Sequence, residues 1–535
     1  MKKEERSPEI PGLRLTLGIQ ADILAPIMNR LLLLILAGSA VLSAAIPEPI
    51  KIDTGLISGA TTSSDDVRVF KGIPFAAPPV GDLRWRAPQP AAHWDGVRKA
   101  DQFGPVCMQN RGPNATGPAP SEDCLYVNVW TGAKAATERR PVIVWTYGGG
   151  FTGGSGSEPR YDGEALARKG AVIVTYNYRL GAFGFFAHPE LTKESGHNAS
   201  GNYAMMDMAA VLHWVQRNIA SFGGDPARVT IDGESAGAML VSAMVGSPEG
   251  KGLFKRAISQ SGAWMGTGIG KMTTRAQAEE AGVKLTQTMG AATLADMRAK
   301  SAEDLLKNGR GGGIIVDGWY VPEDLSATFA KGKENDVDVL VGSNRDEGTF
   351  FARPGSSPNA EQFTVRAKQR FGDLANGYAK VYPVSNDAEA AAAQLASVRD
   401  EMGWHMRTWA QLQGKRGKDK SYLYFFTRVP PTVEGRPSRG ATHTVELSYM
   451  FNNLASGTPW TDVDRKLADM MSSYWVNFAA TGNPNGKGLP EWPVYSEKAA
   501  QAMVLGDTVS VGTGVQPPIL AFYDAYYKTL NGSAE

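Results

Sequence analysis

The chain is 535 residues long, 42% hydrophobic, with 55 Lys and Arg against 54 Asp and Glu, for a formal net charge of +1. That is the composition of an ordinary globular protein with ample material for a core. No basic run with interleaved aromatics, no acidic tail and no zinc-type Cys/His spacing occurs. Nucleic-acid binding and a structural zinc site are therefore not expected.

At the N-terminus, Met28-Asn29-Arg30 precedes an apolar run, Leu31 to Leu36, then small residues ending Ser43-Ala44-Ala45. A positive start, a short apolar core and small residues at the cleavage position read as a signal peptide. Residues 1–45 are accordingly expected to be an N-terminal extension with its signal core at 28–45, and Met28 to be the initiator. The alternative is a membrane anchor, but the run from Leu31 to Ala45 is too short to span a bilayer comfortably. The protein is expected to be exported, to the periplasm or the medium, with no stable membrane anchor. Export suits the only two cysteines, Cys107 and Cys124. A disulfide closing a loop of that size stabilises by roughly 3 kcal/mol in the chain-entropy model. The competing reading is two buried thiols; an oxidising compartment favours the disulfide.

From Ile46 to Glu535 no long Pro/Gly/Ser linker interrupts the chain, so one domain is expected there. The first β-rich run, Val142 to Trp145, leads into Tyr147-Gly148-Gly149-Gly150-Phe151. A glycine-rich loop after a strand suits a backbone that must approach a substrate closely. A phosphate-binding loop is disfavoured, because the Walker pattern and its lysine are missing. A second run, Ala171 to Tyr176, follows, and Ala204 to Ile219 carries apolar residues at helical spacing. Arg228 to Ile231 is strand-like again and is followed by Gly233-Glu234-Ser235-Ala236-Gly237, with a helix-compatible stretch from Ala238. This is the G-x-S-x-G nucleophile elbow in its proper context, a sharp strand-to-helix turn that exposes a serine hydroxyl.

Strand-like Val337 to Val341 leads to Asp346-Glu347-Gly348, where composition alone does not choose between the two acids. On such sheets the partners follow in the order serine, acid, histidine. Of six histidines only His405 and His443 lie far enough downstream. His405 falls in Met402 to Gln413, which reads as helix. Tyr422 to Phe426 is another strand. His443 follows the loop-like Ser438 to Thr442 and precedes a helical pattern from Val445, which favours it. Alternating strands and helices argue an α/β domain on a large, mostly parallel twisted sheet, with the site beyond the carboxyl ends of its strands.

Several further motifs resemble those of the type-B carboxylesterases, the cholinesterase-like branch of the α/β-hydrolases. They are Phe70-Lys71-Gly72-Ile73-Pro74-Phe75, Ser121-Glu122-Asp123-Cys124-Leu125, Asn177-Tyr178-Arg179, Phe222-Gly223-Gly224-Asp225-Pro226 and Thr481-Gly482-Asn483-Pro484. The resemblance runs from about Gly55 to Tyr523. It implies an α/β-hydrolase fold in a single catalytic domain, and hydrolysis of a small-molecule carboxylic ester through an acyl-enzyme. It further implies Ser235 as nucleophile, His443 as base, Glu347 rather than Asp346 as acid, and Gly149, Gly150 and Ala236 as oxyanion donors.

By the same resemblance Cys107 and Cys124 form a disulfide, Arg84 and Glu122 an ion pair, and Glu446 a structural acid. Glu234 would tune the histidine or be structural. Phe350 and Phe351 would line the gorge or belong to the core. Trp264, Trp319, Tyr320 and Trp404 are candidate pocket walls, with core packing as the alternative. Neither a metal nor an organic cofactor is implied, and nothing in the sequence sets an oligomeric state. The Cys107–Cys124 loop has no aromatic residue, so cation–π recognition of choline is unsupported there. A general or xenobiotic-ester hydrolase of bacterial type fits better than a cholinesterase. A specialised esterase for a toxin, pesticide or plant phenolic ester, or a non-catalytic adhesion module, are the alternatives. The sequons at Asn114, Asn198 and Asn531 carry little weight in a bacterial-type protein.

Overall fold

The central strands of this protein are runs of β-branched and aromatic residues buried along nearly their whole length. The computed structural model describes residues 46–531 except 113–116, 265–270, 310–311, 353–354, 356 and 416–419. The expected signal segment and the sequons at Asn114 and Asn531 lie wholly or partly outside the described residues.

In chain order the main sheet contains β1 (Ala60–Thr61), β2 (Arg68–Pro74), β3 (Tyr126–Thr131), β4 (Arg140–Thr146), β5 (Val172–Tyr176) and β6 (Gly224–Glu234). It continues with β7 (Arg256–Gln260), β8 (Asp338–Asn344), β9 (Ser421–Phe426), β10 (Ala502–Leu505) and β11 (Val509–Gly512). Among the described residues these form one 11-stranded sheet in the order β11-β10-β9-β8-β7-β6-β4-β5-β3-β2-β1. The strands from β10 to β5 pair in parallel, and antiparallel pairs close both edges. Burial of β4 and β5 on both faces requires cover on both sides, as in parallel sheets generally. That cover comes from helices: α1 (Tyr203–Asn218), α2 (Ala236–Gly246), α3 (Asp387–Gly414), α4 (Asp462–Thr481) and α5 (Pro517–Asn531). No helix among the described residues is long and apolar enough to cross a membrane.

The expected strands are all present, several of them longer than their apolar cores. β6 runs to Glu234 because it is paired on both sides, Gly233 opposite Thr146 of β4 and Glu234 opposite Gln260 of β7. β8 reaches Asn344 because pairing with β9 continues to Phe426. α3 is 28 residues long and far exceeds Met402–Gln413, since its alanine-rich first half is a strong helix former with little periodicity to reveal it.

Register decides where chemistry can happen. Glu234, Gln260 and Gly342 stand in line across β6, β7 and β8, one residue beyond the pairing of Gly233 with Thr146 of β4, so the segments that follow these strands emerge side by side. The chain order reverses at β4, whose neighbours are β5 and β6, and ligands bind at such a switch point.

Candidate active site

Ser235 lies between β6 and α2 with φ 56° and ψ −123°, in a region that side-chain-bearing residues avoid. Such strain costs about 1–3 kcal/mol and persists only where the surroundings enforce it. Here the Ser235 N–H donates to Gln260 O at 2.9 Å and its carbonyl accepts from Met239 N–H at 3.0 Å. Gly237 is required sterically, since a Cβ there would lie 2.0 Å from Thr146 O. α2 therefore begins at Ala236, two residues before the expected Ala238. As the first helical residue, Ala236 has an N–H with no intrahelical acceptor.

The glycine loop after β4 packs directly on this turn. A Cβ on Gly148 would come within 2.9 Å of Ser235 Cβ and 2.7 Å of Glu234 Oε2. Gly149 has φ 108°, and a Cβ there would meet Gly153 O at 2.2 Å. Gly149 and Gly150 are exposed, and no described residue accepts a hydrogen bond from either N–H. The flanks are pinned: Tyr147 stacks on Tyr178 at 4.4 Å, Tyr178 Oη donates to Tyr147 O, and Gly181 N–H donates to Phe151 O.

Across from the serine, a parallel bridge joins Asp346 to Thr442 and brings the His443 loop against the acid loop. Glu347 Oε2 is 2.6 Å from His443 Nδ1. Its other oxygen accepts the Ser261 hydroxyl at 2.5 Å and the Asn344 N–H at 2.8 Å. Asp346 turns the other way, accepting the Ala441 N–H at 2.7 Å and pairing with Arg345. One acid thus faces the imidazole and its neighbour clamps the loop that carries it. Ser261, directly after β7 with φ 53°, and Asn344, which also reaches Glu446 and Thr442 O, had no sequence signal beyond standing at strand ends.

Glu234 Oε1 is 3.0 Å from His443 Nε2, so a carboxylate stands beside each ring nitrogen of the buried imidazole. Ser235 Oγ is hydrogen-bonded to no described residue. The His443 ring is flanked by Phe350 and Phe351 at 5.1 and 5.2 Å, and both phenylalanines are about half exposed, so neither is a core residue.

Burial disfavours the imidazolium of His443, but Glu234 and Glu347 outweigh it and hold the ring's pKa well above its ordinary value. Burial, with Glu234 and Glu347 adding to it against the Asn344 bond, pushes Glu446 up to about 8. Asp232, two residues before Glu234 on β6, is fully buried, which raises its pKa well above the usual carboxylate range; Glu446 adds to this, against bonds from Gln260 and Gly233. Gln260 Nε2 donates to Asp232 Oδ1 at 3.1 Å, while Asp232 Oδ2 and Gln260 Oε1 are both buried without a partner. A proton on the carboxyl supplies the donor that this pair of oxygens needs.

The linkage follows in sign. With the folded pKa raised, the contribution of Asp232 is fully present below the unfolded pKa and is lost as pH rises toward the folded one. Asp232→Asn, whose amide brings its own donor, is expected to stabilise the protein at pH 7 by at least about 1 kcal/mol, the scale of one buried polar mismatch. Thermal unfolding of the two proteins between about pH 5 and pH 8 checks this, the gain widening toward alkaline pH. A variant less stable at every pH would show that Asp232 is ionised in the fold.

Cys107 and Cys124 are joined in a disulfide, and Arg84 Nε donates to Glu122 at 2.7 Å. Trp264 is only 4% exposed, stacked on Phe329 at 4.0 Å and edge-on to Trp409, so the structure places it in an aromatic core cluster. Trp404 is buried against Tyr527 and Tyr320 against Trp319, whereas Trp319 also stacks on His197. His405 is fully buried beside Tyr527, far in role from His443; burial lowers its pKa to about 4. Among the described residues no cluster could hold a metal ion.

Residues 47–522 match the model of the carboxylesterase family. The chain is 38% identical over 506 residues to fumonisin B1 esterase of Sphingopyxis macrogoltabida, covering 90% of this chain and 91% of that one. It is 34% identical over 477 residues to para-nitrobenzyl esterase of Bacillus subtilis (strain 168), covering 84% and 93%. A solved PNB esterase superposes with a TM-score of 0.78 at 33% identity, covering 88% of this chain and 98% of that one. With a sheet order and elbow of this kind and a family match across nearly all of the described residues, the protein belongs to the carboxylesterase family: it is a carboxylic-ester hydrolase with the α/β-hydrolase fold.

Proposed function

We propose that the protein is an exported serine carboxylesterase acting through an acyl-enzyme, with Ser235, His443 and Glu347 as its triad. The observation that carries the reading is the geometry of His443: Nδ1 is held by Glu347 at 2.6 Å while Nε2 points to the elbow, 3.0 Å from the carboxylate of Glu234, the residue before Ser235. His443 Nε2 takes the Ser235 proton as Oγ adds to the acyl carbon. The free N–H groups of Gly149, Gly150 and Ala236 receive the developing oxyanion, the largest single contribution in acyl transfer. His443 then protonates the leaving alkoxide, and water repeats the sequence to release the acid and restore the serine. Phe350 and Phe351, exposed beside the imidazole, offer an apolar platform to the ester.

The substrate class is a carboxylic ester of general or xenobiotic type. The absence of an aromatic residue in the Cys107–Cys124 loop argues against a choline ester, and the names of the two relatives point to fumonisin B1 and a para-nitrobenzyl ester as probes to include. The leader pattern at 28–45 and the disulfide support export; N-terminal sequencing of the mature protein tests cleavage of the leader, and sequencing of the unprocessed precursor tests the Met28 start. The catalytic reading is tested with p-nitrophenyl esters from acetate to dodecanoate and with a small organophosphonate. Turnover together with labelling at Ser235 is expected. No turnover and no labelling would leave a binding module.

Glu234 gives this reading a pH signature. The carboxylates beside His443 raise its pKa, so the neutral base is scarce at acid pH. Glu234→Gln removes one negative neighbour, lowers that pKa, and is expected to move the acid limb of kcat/KM to lower pH by about one unit. The pH–rate profile checks this, and an unmoved limb would assign Glu234 a structural role only.

A further inference from the structure

The loop carrying the free N–H groups of Gly149 and Gly150 is held at Gly154 by the side chain of Gln109. Gln109 donates from Nε2 to Gly154 O at 2.8 Å and accepts the Gly154 N–H at Oε1 at 2.9 Å, so its carboxamide pairs both main-chain groups of one residue. The same Nε2 also reaches Cys107 O at 3.1 Å. Gly154 in turn is wedged against the residues that precede the exposed glycines. Its φ is 105°, and a Cβ there would lie 2.6 Å from the Tyr147 ring and 2.8 Å from Gly148 O. Inside the loop, Thr152 and Gly153 donate to Gly149 O at only 3.2 Å each. With the Thr152 hydroxyl, which donates to the same carbonyl at 3.4 Å, these are the loop's own closure, and Gln109 supplies shorter bonds.

Gln109 stands two residues after Cys107, and both bonded cysteines are buried at 1% exposure. The disulfide thus anchors the strap from which Gln109 reaches the loop. This segment has no aromatic residue, and from it Gln109 reaches the backbone of the loop.

We propose that Gln109 is a positioning residue for the Gly149 and Gly150 N–H groups, and that the Cys107–Cys124 disulfide acts on catalysis through it. The proposal rests on the reading of these glycines as the oxyanion hole. Losing a whole oxyanion donor lowers kcat about 10²–10³-fold, so loosening the loop that aims two of them is expected to lower kcat by about 10–100-fold. KM is expected to stay within about twofold, because the interaction matters in the transition state and not in substrate binding.

The test measures kcat and KM on p-nitrophenyl acetate for wild type, Gln109→Ala, the double variant Cys107→Ser/Cys124→Ser, and the triple combination, with Ser235→Ala as reference. Amide hydrogen exchange over residues 148–155 is followed in the same proteins. The expected result is a kcat loss in Gln109→Ala with faster exchange in that segment, a similar loss on removing the disulfide, and much less than multiplicative loss in the triple variant, as for groups acting in one chain. Should the disulfide variants fail to fold, the Gln109→Ala split and its exchange pattern still decide. A kcat equal to wild type, a loss confined to KM, or multiplicative losses would overturn the brace. If turnover survives Ser235→Ala, the reading of the site falls and the brace with it. If turnover needs Ser235 but ignores Gln109, the brace alone falls.

Discussion

With Ser235 as the nucleophile proposed above, Ser235→Ala is expected to reduce kcat on p-nitrophenyl esters by about a million-fold while leaving the fold intact, because a triad acts as a unit and removing its nucleophile removes the covalent route. Residual catalysis of about 10³–10⁴ over water should survive, supplied by the oxyanion donors and binding alone. Stability should change by less than about 0.5 kcal/mol. The hydroxyl is bonded to no described residue, and the two contacts that hold the strained turn, Ser235 N–H to Gln260 O and Met239 N–H to Ser235 O, are main-chain bonds that alanine keeps. Burst kinetics, residual steady-state rates and thermal unfolding measured side by side separate these statements. A variant that retains more than a hundredth of wild-type activity would remove Ser235 from the chemistry.

Glu347→Gln is expected to cost about 10⁴ in kcat, more than its near-isosteric change suggests, through the tautomer it imposes. Glu347 Oε1 accepts from the Ser261 hydroxyl and the Asn344 N–H, two donors that hold an oxygen at that position. The glutamine carbonyl must therefore sit there, which turns its NH₂ toward His443 Nδ1. A donor facing Nδ1 makes that nitrogen the acceptor and places the ring proton on Nε2, where the base needs a lone pair. KM should be little affected. Ser261→Ala in the same background removes one of the donors that fix the flip and should recover part of the loss. Equal kcat in wild type and Glu347→Gln would show that the carboxylate does not orient the imidazole.

Much of this site could be read one residue at a time. Ser235 stood in a pentapeptide whose glycines have a steric necessity, visible now in the 2.0 Å approach of a Gly237 Cβ to Thr146 O. The choice of His443 over His405 followed from loop against helix, and the structure buries His405 in α3 beside Tyr527. The choice between Asp346 and Glu347 was different. Nothing in the local residues separates them, and it is the bridge from Asp346 to Thr442 that turns one inward and the other onto the loop backbone.

What the sequence by itself determined is the set of elements and the turn chemistry between them: β-branched runs that can only be buried strands, the elbow, the glycine loop, and the fold class that follows from their alternation. Tertiary structure alone decided the support of the site. Ser261, the Asp232–Gln260 pair and the Gln109 clasp join groups 86, 28 and 45 residues apart, and Asn344 reaches Glu446, 102 residues on. They meet because six parallel pairings set the register of the sheet and bring its carboxyl ends into line. Local propensity acts along the chain over a few residues, whereas a polar side chain in a core is placed by whichever distant partner satisfies its hydrogen bonds, and that partner exists only once the sheet has formed.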